Sequence, residues 1–88
     1  MNETILLAFK YFQARDFQKA EHLCKEILKF QPDNFNAIHL LGAIYYELKN
    51  YDSAIHHFKK ALQINPTDAD AYYNLGLAMR ERTTLVEA

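Results

Sequence analysis

The stretch that decides the fold is residues 35–68, which read FNAIHLLGAIYYELKNYDSAIHHFKKALQINPTD. Several of its residues have an identical counterpart 34 positions away, on one side or on both. The matching sets are Leu7, Leu41 and Leu75; Ala20, Ala54 and Ala88; Tyr11 and Tyr45; Leu28 and Leu62; Gly42 and Gly76; and Pro32 and Pro66. A fixed offset of this length indicates a repeat array, a class of structure that presents curved surfaces to other chains.

Apolar residues recur every three or four positions almost throughout, as amphipathic helices require. We predict five helices, over residues 3–14, 17–30, 35–48, 51–64 and 69–82. Pro32 and Pro66 end the second and fourth helices, because proline cannot continue a helix. Candidate N-caps follow each proline: Asp33 or Asn34, and Thr67 or Asp68. The short connections require sequential helices to pack as antiparallel hairpins.

Small residues indicate where the helices approach one another. Gly42 and Ala54 are predicted to face each other across the third and fourth helices, with Tyr45 and Phe58 filling the space around them. Cys24, the single cysteine, falls on the inner face of the second helix. We interpret it as a small core residue rather than a nucleophile.

The spacing resembles the tetratricopeptide repeat, whose pattern is W-x2-L-G-x2-Y, then A-x3-F, then P in 34 residues. Residues 1–34 are a looser copy, and residues 69–88 are a third copy that is cut short. The matches in residues 35–68 are Ile38 in place of Trp, Leu41, Gly42, Tyr45, Ala54, Phe58, Ala61 and Pro66. The resemblance implies an all-α fold in which antiparallel helix hairpins stack into a right-handed superhelix (an α-solenoid). It implies one domain over residues 1–88.

The sequence departs from the family pattern inside the hairpins and at its end. The hairpin turns usually contain glycine, but Arg15 and Lys49 occupy those places here. Asp16 and Asn50 follow, and we expect them to absorb left-handed backbone strain. Residues 83–88 are predicted to supply only the first turn of a sixth helix.

The interrupted third copy leaves an apolar stripe without its covering helix. The stripe consists of Tyr72, Leu75 and Met79. Exposed stripes of this kind mark an interface. We therefore expect the chain to be either an excised piece of a longer protein or a self-associating unit, and the two interpretations are compatible.

In the family that the sequence resembles, the first helix of each repeat lines a concave groove that contacts the ligand. The resemblance implies a groove containing Ile5, Leu6, Phe9, Phe12, His39, Leu40, Tyr46, Tyr73, Asn74 and Leu77. The remaining positions of these faces are Asn2, Gln13, Asn36, Ala43, Glu47, Asp70, Arg80 and Glu81. An apolar or aromatic-rich peptide would suit such a surface. The alternative is that Ile5, Leu6 and Phe9 only pack against one another or an upstream helix.

Two ligand types known in the family fit the residues poorly. Some members grip a peptide carboxylate with Lys, Asn and Arg, and the matching positions here are Ile5, Phe9, Leu40, Asp70 and Asn74. Asp70 would repel a carboxylate, so we do not expect this mode. The repeats of sugar-transferring enzymes carry an asparagine ladder, whose positions here read Leu6, Leu40 and Asn74. One rung remains.

Composition argues against other classes of function. The 10 basic and 11 acidic residues give a net charge of −1, which does not favour a nucleic-acid surface. The histidines at 22, 39, 56 and 57 include no pair at the four-residue spacing of a helical zinc site, and we predict no metal or other cofactor. The sequence shows neither a secretory leader nor a membrane span, so the default expectation is a soluble cytoplasmic domain without membrane partners.

We therefore predict a noncatalytic protein–protein interaction module that binds a peptide segment in its concave groove. One alternative is a self-assembling unit that pairs through its fifth helix. The other is the targeting or substrate-recruiting portion of a larger enzyme, such as a glycosyltransferase.

Overall fold

The computed structural model describes residues 2–87, and within this range the chain forms five α-helices. They are α1 (Asn2–Gln13), α2 (Phe17–Phe30), α3 (Phe35–Glu47), α4 (Tyr51–Ile64) and α5 (Ala69–Glu87). The predicted all-α class is confirmed. Ala88, the last member of the alanine series, lies outside the described residues, as does the side chain of the groove position Asn2.

The helices form two layers. Each helix packs against the next one in the chain, and α3 also contacts both α1 and α5. Hence α1, α3 and α5 form an inner layer, while α2 and α4 form an outer layer. The shortest dimension of the molecule, 19 Å, is about two helix diameters. This is the expected helical solenoid.

Four polar side chains cap the helices that follow them. The side chains of Asp16, Asn34, Asn50 and Asp68 each accept a hydrogen bond from the backbone N–H three residues later, at 2.8–3.4 Å. Each bond satisfies a donor that the first helical turn leaves without an intrahelical partner. Asn34 and Asp68 are therefore the caps among the candidates that follow the two prolines.

In both hairpin turns, the residue with left-handed backbone lies one position earlier than predicted. Arg15 and Lys49 themselves adopt left-handed backbone, with φ of 62° and 64°. Asp16 and Asn50 have φ of −90°, so the expectation that they absorb the strain is wrong. The reason is hydrogen bonding. The N–H groups of Asp16 and Asn50 each donate at 2.8 Å to a carbonyl five residues earlier, which closes a Schellman turn whose left-handed residue is the one before.

The fifth helix is longer than predicted. It continues without interruption from Ala69 to Glu87, so residues 83–87 are not the start of a sixth helix. No glycine or proline follows Arg82 to end the helix. The hydroxyls of Thr83 and Thr84 instead donate to the carbonyls four residues earlier, both at 3.0 Å, which accommodates these residues within the helix.

The core runs between the two layers. Its fully enclosed residues include Ala8, Ala20, Cys24, Ala37, Ile38, Ile44, Ala54, Ala61, Ala71 and Ala78. The predicted close approach of α3 and α4 is confirmed at Gly42. A Cβ atom placed there would lie 2.5 Å from Cε1 of Phe58, because the Phe58 ring rests directly on the glycine backbone.

A polar contact joins the first helix pair to the second. The hydroxyl of Tyr45 on α3 donates to Glu21 on α2, and Lys25 forms an ion pair with the same carboxylate at 3.1 Å. The hydrogen bond from Tyr45 lowers the pKa of Glu21. Burial, together with Glu21, raises the pKa of Tyr45 to about 12. The phenol therefore stays protonated and continues to donate at neutral pH.

Candidate functional site

Two adjoining hollows lie on the inner face, where the inner helices meet. The larger hollow has a volume of about 320 Å³, and its lining residues are Phe12, Ala43, Tyr46, Glu47, Phe58, Asn74 and Leu77. The smaller hollow has a volume of about 200 Å³, and its lining residues are Phe9, Phe12, Asn36, His39, Leu40, Ala43 and Asn74. Both are therefore built from α1, α3 and α5, and the α4 residue Phe58 contributes to the larger one.

Most of the predicted groove residues come together at these hollows. Those that line one or both are Phe9, Phe12, His39, Leu40, Tyr46, Asn74 and Leu77. Tyr73 does not line either hollow and projects into solvent with 68% of its surface exposed. Leu6 is 59% exposed and borders a separate shallow depression with Leu7 and Lys10.

Two of the predicted groove residues belong to the core instead. Leu40 is only 3% exposed, and Ile5 packs against the same apolar cluster between α1, α2 and α3. Leu40 is buried because α3 contacts all four other helices, whereas Ile5, on α1, packs against residues of the core cluster from the side. Leu40 forms part of the floor of the smaller hollow rather than an exposed contact surface.

Phe58 is a residue of this surface that the sequence analysis assigned to the core alone. It is 1% exposed and forms the floor of the larger hollow, because Gly42 allows its ring to pass beneath α3. The residues at one repeat position also indicate the hollow. Positions 9, 43 and 77 are equivalent in the repeat and carry Phe, Ala and Leu, so the middle one is the smallest.

A polar pair lines the hollows, with Asn74 in both of them and His39 in the smaller one. The amide nitrogen of Asn74 on α5 lies 3.0 Å from Nε2 of His39 on α3. The His39 ring also packs on Phe35 and Phe58, with ring centroids 5.5 and 5.6 Å away. Burial lowers the pKa of His39, while the charges of Asp68 and Asp70 oppose this shift. The imidazole is therefore mainly neutral at pH 7, which suits it to a hydrogen bond with an amide.

The charges around the larger hollow lie at its edge. Glu47 forms an ion pair with Arg15 at 3.2 Å. Burial raises the pKa of Tyr46, and the nearby carboxylates of Glu81 and Glu47 act in the same direction, whereas Arg80 opposes them. The hollow thus combines apolar walls with a charged rim that carries two carboxylates and two arginines.

The remaining reactive side chains lie elsewhere. Cys24 is fully buried, and burial raises the pKa of its thiol to about 12, so it is an unreactive core residue, as predicted. His22 and His56 are exposed, while the half-buried His57 has its Nδ1 2.8 Å from the Ser53 carbonyl. Within residues 2–87, no three His, Cys, Asp or Glu side chains are grouped as metal ligands would be. None of the described helices is both long and apolar enough to cross a bilayer.

A second apolar surface lies on the outward face of α5. Tyr72 and Met79 are 55% and 40% exposed, whereas Leu75 is half-buried against the core of α4 and α5. A Cβ atom placed on Gly76 would have no neighbour within 4 Å. The equivalent glycine on α3, Gly42, is covered by Phe58, so the corresponding face of α5 is open.

Two protein-family models match the chain. One, described as "TPR repeat", matches residues 42–81, and the other, described as "Tetratricopeptide repeat", matches residues 11–56, which is more than half of the chain. Among curated protein sequences, none matches this chain significantly.

Solved structures similar to this chain include parts of two larger proteins. A mutant of the O-GlcNAc transferase of Thermobaculum terrenum is 31% identical with a TM-score of 0.86, and the match covers 89% of this chain and 15% of the transferase chain. A double mutant of MamA RS-1 is 28% identical with a TM-score of 0.83, over 96% of this chain and 47% of the MamA chain. The present chain therefore spans less than half of either protein.

Proposed function

This chain belongs to the tetratricopeptide repeat family, and we propose that it is a noncatalytic interaction module whose inner face binds a segment of another protein. The observation that carries the proposal is the pair of adjoining hollows built jointly by α1, α3 and α5. Concave sites with apolar walls and a few polar groups are the usual places where ligands bind. Repeat arrays of this kind present such surfaces to partner chains.

The residues of the inner face favour an apolar or aromatic-rich peptide. Phe9, Phe12 and Tyr46 supply aromatic surface, which is enriched in protein interfaces. The neutral His39 and Asn74 supply hydrogen-bonding groups that a peptide backbone can use. Two of the three rung positions of the asparagine ladder are leucines, and one of these, Leu40, is buried. A ligand that requires the full ladder is therefore disfavoured.

Positive charges placed on the inner face should abolish partner capture. We expect Phe9→Lys combined with Tyr73→Lys to remove the proteins that the immobilised chain captures from a cell lysate. Both side chains are exposed, so the variant should retain its helical circular dichroism spectrum. Leu40→Glu is unsuitable for this purpose, because it would place a charge in the core.

The matched control adds the same two charges to the outer layer. His22→Lys with His56→Lys alters exposed positions of α2 and α4 and should leave the captured proteins unchanged. If the inner-face variant captured the same proteins as the unmodified chain, the groove proposal would be wrong.

Self-association through α5 is a second candidate function, favoured by the open backbone at Gly76 between the exposed Tyr72 and Met79. Light scattering coupled to gel filtration should then show dimers or larger species at high micromolar concentration. Tyr72→Glu with Met79→Glu should return the chain to a monomer. A strict monomer of the unmodified chain over that concentration range would exclude this candidate.

The likeness to part of an O-GlcNAc transferase favours a third candidate, in which the chain recruits substrates for a larger enzyme. Reading the gene on both sides of the codons for residues 1–88 would test it. A reading frame that contains a catalytic fold on either side of these residues would support recruitment, and a frame without one on either side would contradict it.

A further inference from the structure

The larger hollow exists because the middle repeat carries a small residue where its neighbours carry large ones. Equivalent positions 9, 43 and 77 are Phe, Ala and Leu. Leu77 lines the larger hollow, whereas Phe9, which is 39% exposed, lines the smaller one. Ala43 lies between them and lines both hollows, so the gap is formed where its side chain ends at Cβ.

The hollow has rigid apolar surfaces on several sides. Phe58 forms its floor and is held against the backbone of Gly42. Phe12 and Tyr46 are aromatic walls, and the Phe12 ring is itself fixed by Phe17 at a centroid distance of 5.6 Å. A volume of about 320 Å³ is at the lower end for ligand pockets. It suits a single large side chain better than a whole small molecule.

The charges around the groove are predominantly acidic. Glu47 lines the larger hollow, and Glu81 is its equivalent one repeat later on α5. Both carboxylates act on Tyr46, while Asp68 and Asp70 act on His39. Two cations oppose them: Arg80, which also acts on Tyr46, and Arg15, which is held by Glu47. Glu81 forms no ion pair with any of the described side chains. A basic segment is therefore electrostatically complementary to this face.

We propose that the larger hollow is an anchor pocket for one aromatic or leucine-sized side chain of a bound peptide, and that a Lys or Arg near this anchor pairs with Glu81. The inference rests on the proposed function and specifies the ligand of the same face. A buried aromatic anchor in a preformed pocket is the kind of contact that dominates interface energetics. The adjoining smaller hollow accepts a second, smaller side chain of the same segment.

Peptide display on the immobilised chain tests the proposal with a defined probe. A library of random twelve-residue peptides is selected against the chain, and individual peptides are synthesised with a fluorescent label for anisotropy titrations. The selected peptides should share one large apolar residue with a Lys or Arg within four positions of it. Replacing that apolar residue by Ala should weaken binding about tenfold or more, without any change to the protein.

The protein-side variants fill the hollow with residues that the other two repeats already carry. Ala43→Leu and Ala43→Phe place there the side chains found at positions 77 and 9. Each should weaken peptide binding about tenfold or more, because the peptide anchor loses its space. Glu81→Lys should weaken only peptides that keep the basic residue, and this difference should shrink in high salt. His56→Leu on the outer layer is the control and should have no effect.

The outcomes separate this proposal from the proposed function. If Phe9→Lys with Tyr73→Lys abolishes binding but both Ala43 variants and the anchor substitution leave it unchanged, the groove binds peptides and the anchor pocket is wrong. If none of these variants affects the selected peptides, the groove proposal fails as well. If Ala43→Phe instead dissociates an oligomer of the chain itself, the occupant is a second copy and the peptide proposal is overturned. Failure to select any peptide also overturns it.

Discussion

Gly42 and Gly76 are equivalent residues with opposite surroundings. At Gly42, the ring of Phe58 occupies the space of a Cβ atom, and Cε1 would lie 2.5 Å from it. At Gly76, the same space is open. Glycine lowers helix stability through backbone entropy, so its presence in α3 needs the compensation that close packing provides. The contact with Phe58 supplies it in α3, whereas within the described residues nothing comparable occurs in α5.

The two glycines should therefore respond differently to the same substitution. We expect Gly42→Ala to destabilise the chain by about 1–2 kcal/mol, because overpacking of the Phe58 ring exceeds the gain in helix propensity. Gly76→Ala should stabilise it by about 0.5–1 kcal/mol, since only the propensity changes. Urea denaturation of both variants measures the difference. Equal effects of the two substitutions would show that the Phe58 contact does not limit the space at Gly42.

At the scale of the helices, the turns show how far local patterns predict structure. The positions of the turns and the caps at Asn34 and Asp68 follow from residue types whose side chains bond to nearby backbone. Arg15 and Lys49 are left-handed because each precedes the residue whose N–H closes the Schellman turn. The hydrogen-bond pattern, and not the residue type, therefore determines which position is left-handed. The repeat spacing predicts a turn near Thr83, but α5 continues through it because a helix ends at a local breaker and the residues that follow Arg82 include none.

Glycine at position 49 should stabilise the second hairpin. Lys49 has φ of 64° and forms no hydrogen bond or ion pair through its side chain with the described residues, so Lys49→Gly removes strain without removing a contact. We expect a gain of about 1 kcal/mol, measured by thermal or urea unfolding.

Arg15→Gly is the matched comparison at the equivalent turn. Arg15 lies over the Phe17 ring at 5.0 Å and forms an ion pair with Glu47, so its replacement relieves strain but removes both contacts. Its net gain should be smaller than that of Lys49→Gly. A larger gain at Arg15 would mean that these surface contacts contribute nothing and that the strain differs between the turns.

At the scale of the whole molecule, titratable groups lie where the repeats meet. His57 on α4 packs against Tyr45 on α3 at a centroid distance of 5.2 Å. Burial lowers its pKa below the ordinary 6.5, the Ser53 carbonyl opposes this, and His56, Lys60 and Lys25 add to it. The pKa of Glu21 across the interface is also lowered, chiefly by the Tyr45 hydrogen bond. The contacts among His57, Tyr45 and Glu21 are therefore most stable at neutral pH, where His57 is mainly uncharged and Glu21 is ionised.

Stability should consequently fall as the solution becomes acidic. The unfolded chain binds a proton at His57 more readily than the folded chain, so stability present above pH 6.5 is lost as the pH falls below it. His39, whose pKa is also lowered, adds to this loss. The contribution of Glu21 is present above pH 4.5 and is lost below that value. Urea midpoints measured between pH 7.5 and pH 3 should show both stages.

A single substitution identifies the contribution of the interface histidine. His57→Phe retains the aromatic contact with Tyr45 and should reduce the loss of stability between pH 7.5 and 5.5. His22→Phe, at an exposed position of α2 that does not act on His57, should leave the pH profile unchanged. An unaltered profile in His57→Phe would exclude this histidine as a source of the pH dependence.

The sequence by itself determined the helices, their hairpin order and most of the core, because these depend on residue spacing and on side chains that act within one or two turns. It also placed most of the inner-face residues, since equivalent positions of a repeat share one surface. Only the tertiary structure decided that Leu40 is buried, that Phe58 lies beneath the groove and that Ala43 opens a hollow between Phe12 and Leu77. These properties depend on how much space three separate helices leave between them, and this space is not encoded in the period of any single helix.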